Sequence, residues 1–224
     1  VVSITTTGST FLVSLVETLS GGVGTDVITL RSVGNTLRVS GLDTLTGGAA
    51  TDVVSLTAAG STLLINLIET LTGGVGTDVI SLGSGGNTLL TVNVETLVGS
   101  SATDFVTIGS AGNTIAISGL EILVGGAATD LVTLSTTGNT VLLRMIETLT
   151  GDVGTDVITI GDTGSTILVS GIETLVGGAA TDVVSLTTAG STFLVSLLET
   201  LTGAVGTDAI TLGSAGNTGP TSCG

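Results

Sequence analysis

The chain has 224 residues and a formal charge of −15, from 18 Asp plus Glu against three Arg and no Lys. With so few cations it cannot neutralise phosphates by counterion release, which excludes nucleic-acid binding. With no His or Tyr and one Cys, nucleophile–base pairs and His-based metal sites lack their residues; at 42% hydrophobic the chain is also too apolar for an acidic disordered tail.

One period organises the chain. Thr-Asp recurs at Thr25-Asp26, Thr51-Asp52, Thr77-Asp78, Thr103-Asp104, Thr129-Asp130, Thr155-Asp156, Thr181-Asp182 and Thr207-Asp208, a constant 26-residue step. Counting from Val1, each repeat holds three strand-like segments in order. They are positions 1–4 (Val-Val-Ser-Leu in the average unit), 10–14 (Thr-Leu-Leu-Val-Ser) and 16–20 (Ile-Glu-Thr-Leu-Thr), each bounded by Gly, Asn or Ser. No window keeps helical periodicity, and none holds 18 uninterrupted apolar residues for a transmembrane segment. The pattern predicts an all-β fold, a β-solenoid of eight-plus 26-residue coils with three short strands each. Stacking is required because one unit cannot bury its own apolar side. A propeller with three-stranded blades is the rival, although such blades usually need about 40 residues. The solenoid is expected over 1–218 as a single domain, with 219–224 a non-repeat tail.

Alternation orients the side chains. Positions 2, 4, 11, 13, 16 and 19 are the expected core. Where position 15 is large (Leu15, Leu67, Met145, Leu197), positions 23–24 read Val-Gly, as in Val23-Gly24. Where it is Gly or Asn (Gly41, Asn93, Gly119, Gly171), they read Ala-Ala or Ser-Ala. This exchange suggests a shared, tightly packed volume.

Stacked coils turn each repeat position into a ladder. Position 26 supplies eight Asp and position 17 supplies seven Glu plus Asp43, leaving Asp152 and Asp162. Like charges about 4.8 Å apart repel by roughly 1 kcal/mol in water, so such ladders need solvent, amide donors or cations. At position 26 the alternatives are bonding to the amides of the Gly-rich turn and a row of Ca²⁺ sites. At position 17 a solvated outward acid is expected. Catalysis would fall to Asp152 and Asp162, both at turn positions where Asp is common, and the chain is read as a non-enzyme.

Gly21-Gly22-Val23-Gly24-Thr25-Asp26-Val27-Ile28-Thr29 fits the nonapeptide of RTX proteins, the hemolysin-type calcium-binding repeats. Gly73 to Ser81 fits it too, and Ile68-Glu69-Thr70-Leu71-Thr72 resembles the lead-in of large bacterial surface and secreted proteins of this kind. The resemblance covers about a third of each repeat, the nonapeptide alone, and the rest of the unit separates one nonapeptide from the next. It implies a secreted or cell-surface β-roll stabilised by Ca²⁺, with Asp26 and Asp78 as the metal-binding carboxylates.

Two more ladders complete the reading. Thr-x-Thr at positions 18–20 (Thr44-Leu45-Thr46, Thr70-Leu71-Thr72, Thr148-Leu149-Thr150, Thr200-Leu201-Thr202) resembles the ice-binding face of some antifreeze proteins, interrupted at Ser20, Val98, Ile122, Val124 and Val176. Position 12 places Leu12, Leu64, Leu90, Leu142, Leu168 and Leu194 outward, with Arg38 and Ala116, and position 1 is apolar throughout. An exposed apolar row exceeds what monomers usually show and points to association. The start at Val1 suggests a processed product, a fragment of a longer array or a subunit stacking end to end. Cys223 is a lone thiol in the tail. The expectation is a non-catalytic extracellular structural or adhesive solenoid that self-associates into a homo-oligomer or filament. Calcium binding and ice binding are the alternatives.

Overall fold

Aliphatic residues alternating with Thr and Ser give each segment one apolar and one hydroxyl-bearing side, and such segments gain stability only by pairing and covering the apolar side. The computed structural model describes all residues except Thr6, Thr136, Thr137, Asp162, Ala189, Gly190, 214–220, Cys223 and Gly224, and describes Thr221 and Ser222 by backbone only. Asp162 and Cys223 therefore lie outside the described residues. Among the described residues the regular structure is all strand, the strands pair in parallel, and no helix is long and apolar enough to cross a membrane. The fold is a parallel β-solenoid.

The chain divides into two compact units, Val1–Gly109 and Ser110–Gly224. In the first, one sheet contains Val2–Ser3, Thr18–Ser20, Thr36–Ser40, Val53–Leu56, Thr70–Thr72, Thr88–Val92 and Phe105–Ile108. The other contains Ser9–Val13, Asp26–Leu30, Thr44–Thr46, Thr62–Asn66, Val79–Leu82 and Thr96–Val98. In the second unit, one sheet runs Ile122–Val124, Thr140–Arg144, Val157–Ile160, Thr174–Val176, Thr192–Ser196, Ala209–Leu212. The other runs Thr114–Ser118, Leu131–Leu134, Thr148–Thr150, Thr166–Ser170, Val183–Leu186, Thr200–Thr202, Thr221–Ser222. The last strand pairs Thr221 with Leu201, so part of the expected non-repeat tail joins the sheet.

The coil is shorter than the repeat, which corrects the expected 26-residue coil of three strands. Val27 pairs with Thr44 and Thr44 pairs with Leu64, so successive rungs are only seventeen and twenty positions apart in sequence. Each turn holds two strands, one per sheet. Three strands per repeat and two per turn mean that two repeats complete three turns. The reason lies in strand spacing: starts at positions 1, 10 and 18 are almost evenly separated. Any two consecutive strands and their turns then close a circuit around two facing apolar sides, and the third strand begins the next. Each sheet consequently stacks the first, third and second strand types in rotation rather than like on like. In the first unit Thr36, Val53, Thr70, Leu90 and Thr107 occupy successive rungs of one column.

The core is the one that alternation assigns. Leu37, Val39, Leu42, Leu45, Val54 and Leu56, at positions 11, 13, 16, 19, 2 and 4, are all buried, and so are their equivalents Val141, Leu143, Ile146, Leu149, Ile158 and Ile160 in the second unit. Thr91 takes a core position as an isostere of Val and buries its Oγ1 with no hydrogen-bond partner.

The expected shared volume of positions 15 and 23 is not packed. Leu15 is 84% exposed and Val23 70% exposed. Position 15 is a left-handed turn residue, with φ of 56° at Leu15, 52° at Leu67 and 61° at Gly41. The Val-Gly and Ala-Ala pairs mark two turn conformations instead. In the first, Gly8 (φ 63°) stacks on Gly24 (φ 95°) and donates to the Val23 carbonyl, and Gly60 (φ 74°) does the same with Gly76 (φ 97°) and Val75. A Cβ on Gly24 would stand 2.8 Å from the Gly8 nitrogen, so side chains cannot meet there. Nothing in the structure explains why the large residue at position 15 accompanies that turn.

Candidate functional site

The acidic residues lie where the chain leaves a turn and starts a strand. Asp26, Asp52, Asp78, Asp104, Asp130, Asp156 and Asp182 are fully buried. Burying an ionised carboxylate is tolerated only when its lone pairs are satisfied, and the Gly-rich turn supplies the donors. Asp78 Oδ1 accepts the Ser61 amide at 2.7 Å and Oδ2 accepts the Gly74 amide at 2.7 Å. Asp26 does the same with Ser9 (3.0 Å) and Gly22 (2.8 Å). Each carboxylate thereby ties its own turn, just behind it in sequence, to the preceding coil. Gly is required ahead of the Asp: a Cβ on Gly73 would stand 1.7 Å from the Asn93 carbonyl oxygen and 2.8 Å from Asp78 Oδ2.

Where position 9 is Asn, the clamp is doubled. Asn35 gives Asp52 Oδ1 its main-chain amide at 2.9 Å and its Nδ2–H at 2.8 Å, while Nδ2 also donates to the Val33 carbonyl. The position-17 acids continue the chain of bonds. The Asp78 amide donates to Glu95 Oε2 at 2.7 Å, and the Asp26 amide to Asp43 Oδ2 at 2.8 Å. Glu69, Glu147, Glu173 and Glu199 cap the corresponding Asp amides in the same way and are only partly exposed. At these positions the expected solvated acid is instead a part-buried cap on a backbone donor, while Glu17 and Asp43 are exposed as expected. Asp152 occupies a turn position whose amide donates to Asp156 Oδ2.

At Asp26 and Asp78 the amide-bonding alternative is the one the geometry displays. Ca²⁺ requires six to eight convergent oxygens. Here amide hydrogens point at both oxygens of each Asp, and among the described residues no three acidic side chains converge on a common point. The signal that separates clamp from metal site is the Ser or Asn at position 9, one turn earlier, whose role follows only once the coil length is known.

The outward residues form two faces per unit, one on each sheet. Leu12, Leu64, Leu90, Leu168 and Leu194 are exposed and Leu142 is partly so, as alternation assigns. They are not adjacent. Leu90 sits between Thr70 and Thr107, and Leu168 between Thr148 and Ser185, so leucines within one sheet recur every third strand. The Thr-x-Thr pairs are separated in the same way: in Thr70–Thr72, Thr70 is flanked by Val53 and Leu90. Each face mixes hydroxyl and aliphatic rungs, with neighbours such as Ser55 on Thr72 and Ile122 on Leu142. The charged outward residues in described strands are Arg38 and Arg144.

One steric relation escaped sequence reasoning because it spans a full turn of the coil. Position 14 lies against position 5 of the next repeat. Asn66 faces Gly83, Val92 faces Gly109 and Arg144 faces Gly161, where a Cβ would come within 2.8, 2.7 and 2.5 Å of the opposing side chain. Where position 14 is Ser, as at Ser40, Ser118 and Ser170, the opposite residue has a side chain (Thr57, Ser135, Thr187). Ser196 and Gly213 depart from that rule.

Fold and site together define a parallel β-solenoid whose buried carboxylates staple successive turns. Comparison with protein-family models, with curated proteins and with solved structures finds no match.

Proposed function

We propose that the protein is a non-catalytic structural or adhesive β-solenoid that associates laterally with copies of itself, as in a filament, surface layer or adhesin stalk. The observation that carries this reading is the division of labour between edge and face. The described position-26 acids bond to main-chain amides, and so do most of the position-17 acids, while the sheet faces are nearly uncharged and studded with exposed leucines. Such faces bury aliphatic area without burying charge. An extracellular or cell-surface location belongs to the proposal and rests on the RTX resemblance of Gly21–Thr29 and Gly73–Ser81. The calcium-binding function of RTX repeats is left outside this proposal, since the amides of Ser9, Gly22, Ser61 and Gly74 already give the Asp26 and Asp78 carboxylates a structural role.

Sedimentation velocity tests the association. The wild-type chain is expected to form larger species as concentration rises. Replacing Leu64, Leu90, Leu168 and Leu194 by Thr should weaken this by at least about tenfold while leaving the fold intact. A wild-type chain that stays monomeric at the highest soluble concentration overturns the proposal. In parallel, the melting temperature should be the same in Ca²⁺ and in chelator; a rise with Ca²⁺ would restore the calcium reading.

A further inference from the structure

Arg144 ends the strand Thr140–Arg144 at position 14, where other repeats carry Ser, Asn or Val. Its stem lies across Gly161: a Cβ there would stand 2.5 Å from Arg144 Cγ and 2.6 Å from Nε. The neighbouring turn thus leaves room for the arginine by lacking a side chain. Beside it opens a cleft of about 470 Å³ walled by Leu142, Ile160, Leu197, Gly178 and Ala179. Arg144 Nε is covered by the Gly161 turn and has no hydrogen-bond partner, so the outer guanidinium nitrogens are the donors a ligand can reach. The guanidinium makes no ion pair with a described residue. That is unexpected in a chain with 18 acidic residues. A buried cationic donor with nothing to bond is costly, and the ladder acids that come next in sequence, Glu147 and Asp156, are already bonded to amides.

We infer that this cleft binds a carboxylate carrying an aliphatic chain. The guanidinium fork matches a carboxylate in geometry and charge. Leu142 and Leu197 offer aliphatic wall to the rest of the ligand. The site shares Leu142 with a sheet face but needs no second copy, so it stands or falls apart from lateral association.

Calorimetric titration of the full chain with sodium octanoate tests it. One saturable site is expected, with affinity lowered at least about tenfold in Arg144→Gln. Gly161→Ala, whose methyl displaces the arginine stem, should weaken binding similarly, while Arg38→Gln should leave it unchanged. Circular dichroism and urea midpoints check that each variant is folded. Absence of saturable octanoate binding, equal binding by Arg144→Gln, or equal binding of octanol by the wild type overturns the inference. Asp162 follows Gly161 in sequence; if octanoate binds only to Asp162→Asn, Arg144 serves an internal partner and the inference is likewise overturned.

Discussion

Two columns of the repeat invert the usual placement of residues. Seven of the eight aspartates at position 26 are fully buried, whereas Leu90 at position 12 is 41% exposed. Polarity alone predicts the reverse. The aspartates are inside because each finds amides from two turns, and the leucines are outside because strand alternation leaves them no other side. Position in the hydrogen-bond and pleat pattern, rather than hydropathy, decides burial in this solenoid.

The comparison is open to experiment, and the largest effect is expected at the clamp. Asp78→Ala strands the Ser61 and Gly74 amides and should cost about 3–5 kcal/mol. The urea midpoint reports it, and a loss below about 1 kcal/mol would mean that water replaces the carboxylate. Next comes a pair of neighbours on one strand. Leu89 is 1% exposed, so Leu89→Ala should cost about 3 kcal/mol, whereas Leu90→Ala should change the monomer's stability by less than about 0.5 kcal/mol. Equal losses would show that the outward face is already covered. Gly109→Ala presses a methyl against Val92 and should cost about 1–3 kcal/mol. Adding Val92→Ser should restore most of it, a coupling measurable in a double-mutant cycle. The smallest effect has the opposite sign. Thr91→Val replaces a buried hydroxyl that has no partner and should stabilise by about 1 kcal/mol.

Much of this was legible in the sequence. Alternation at positions 2, 4, 11, 13, 16 and 19 placed the core, and the β-solenoid followed from repetition with no interrupting linker and no helical periodicity. Coil length was not legible, because the first, second and third strands all present the same apolar-hydroxyl alternation. Val53, Thr70 and Leu90 can therefore stack on one another as readily as like on like. Every ladder inferred from a 26-residue coil inherited that error. Leucines thought contiguous are three rungs apart, and the partner of Asp78 at Ser61 was hidden one turn away. The Arg144 cleft escaped for the same reason, since Gly161 meets the arginine only one full turn later.

The ratio of three strands per repeat to two per turn gives the array a parity. Consecutive repeats carry the same strand type to opposite sheets: Thr36–Ser40 and Thr62–Asn66, both second strands, belong to different ones. Gain or loss of one unit by unequal recombination would shift everything downstream by half a turn. No pairing would be lost, because both sheets read the strand types in the same order. Whatever follows would leave from the other side, so copy number, odd or even, sets the direction in which an attached segment departs.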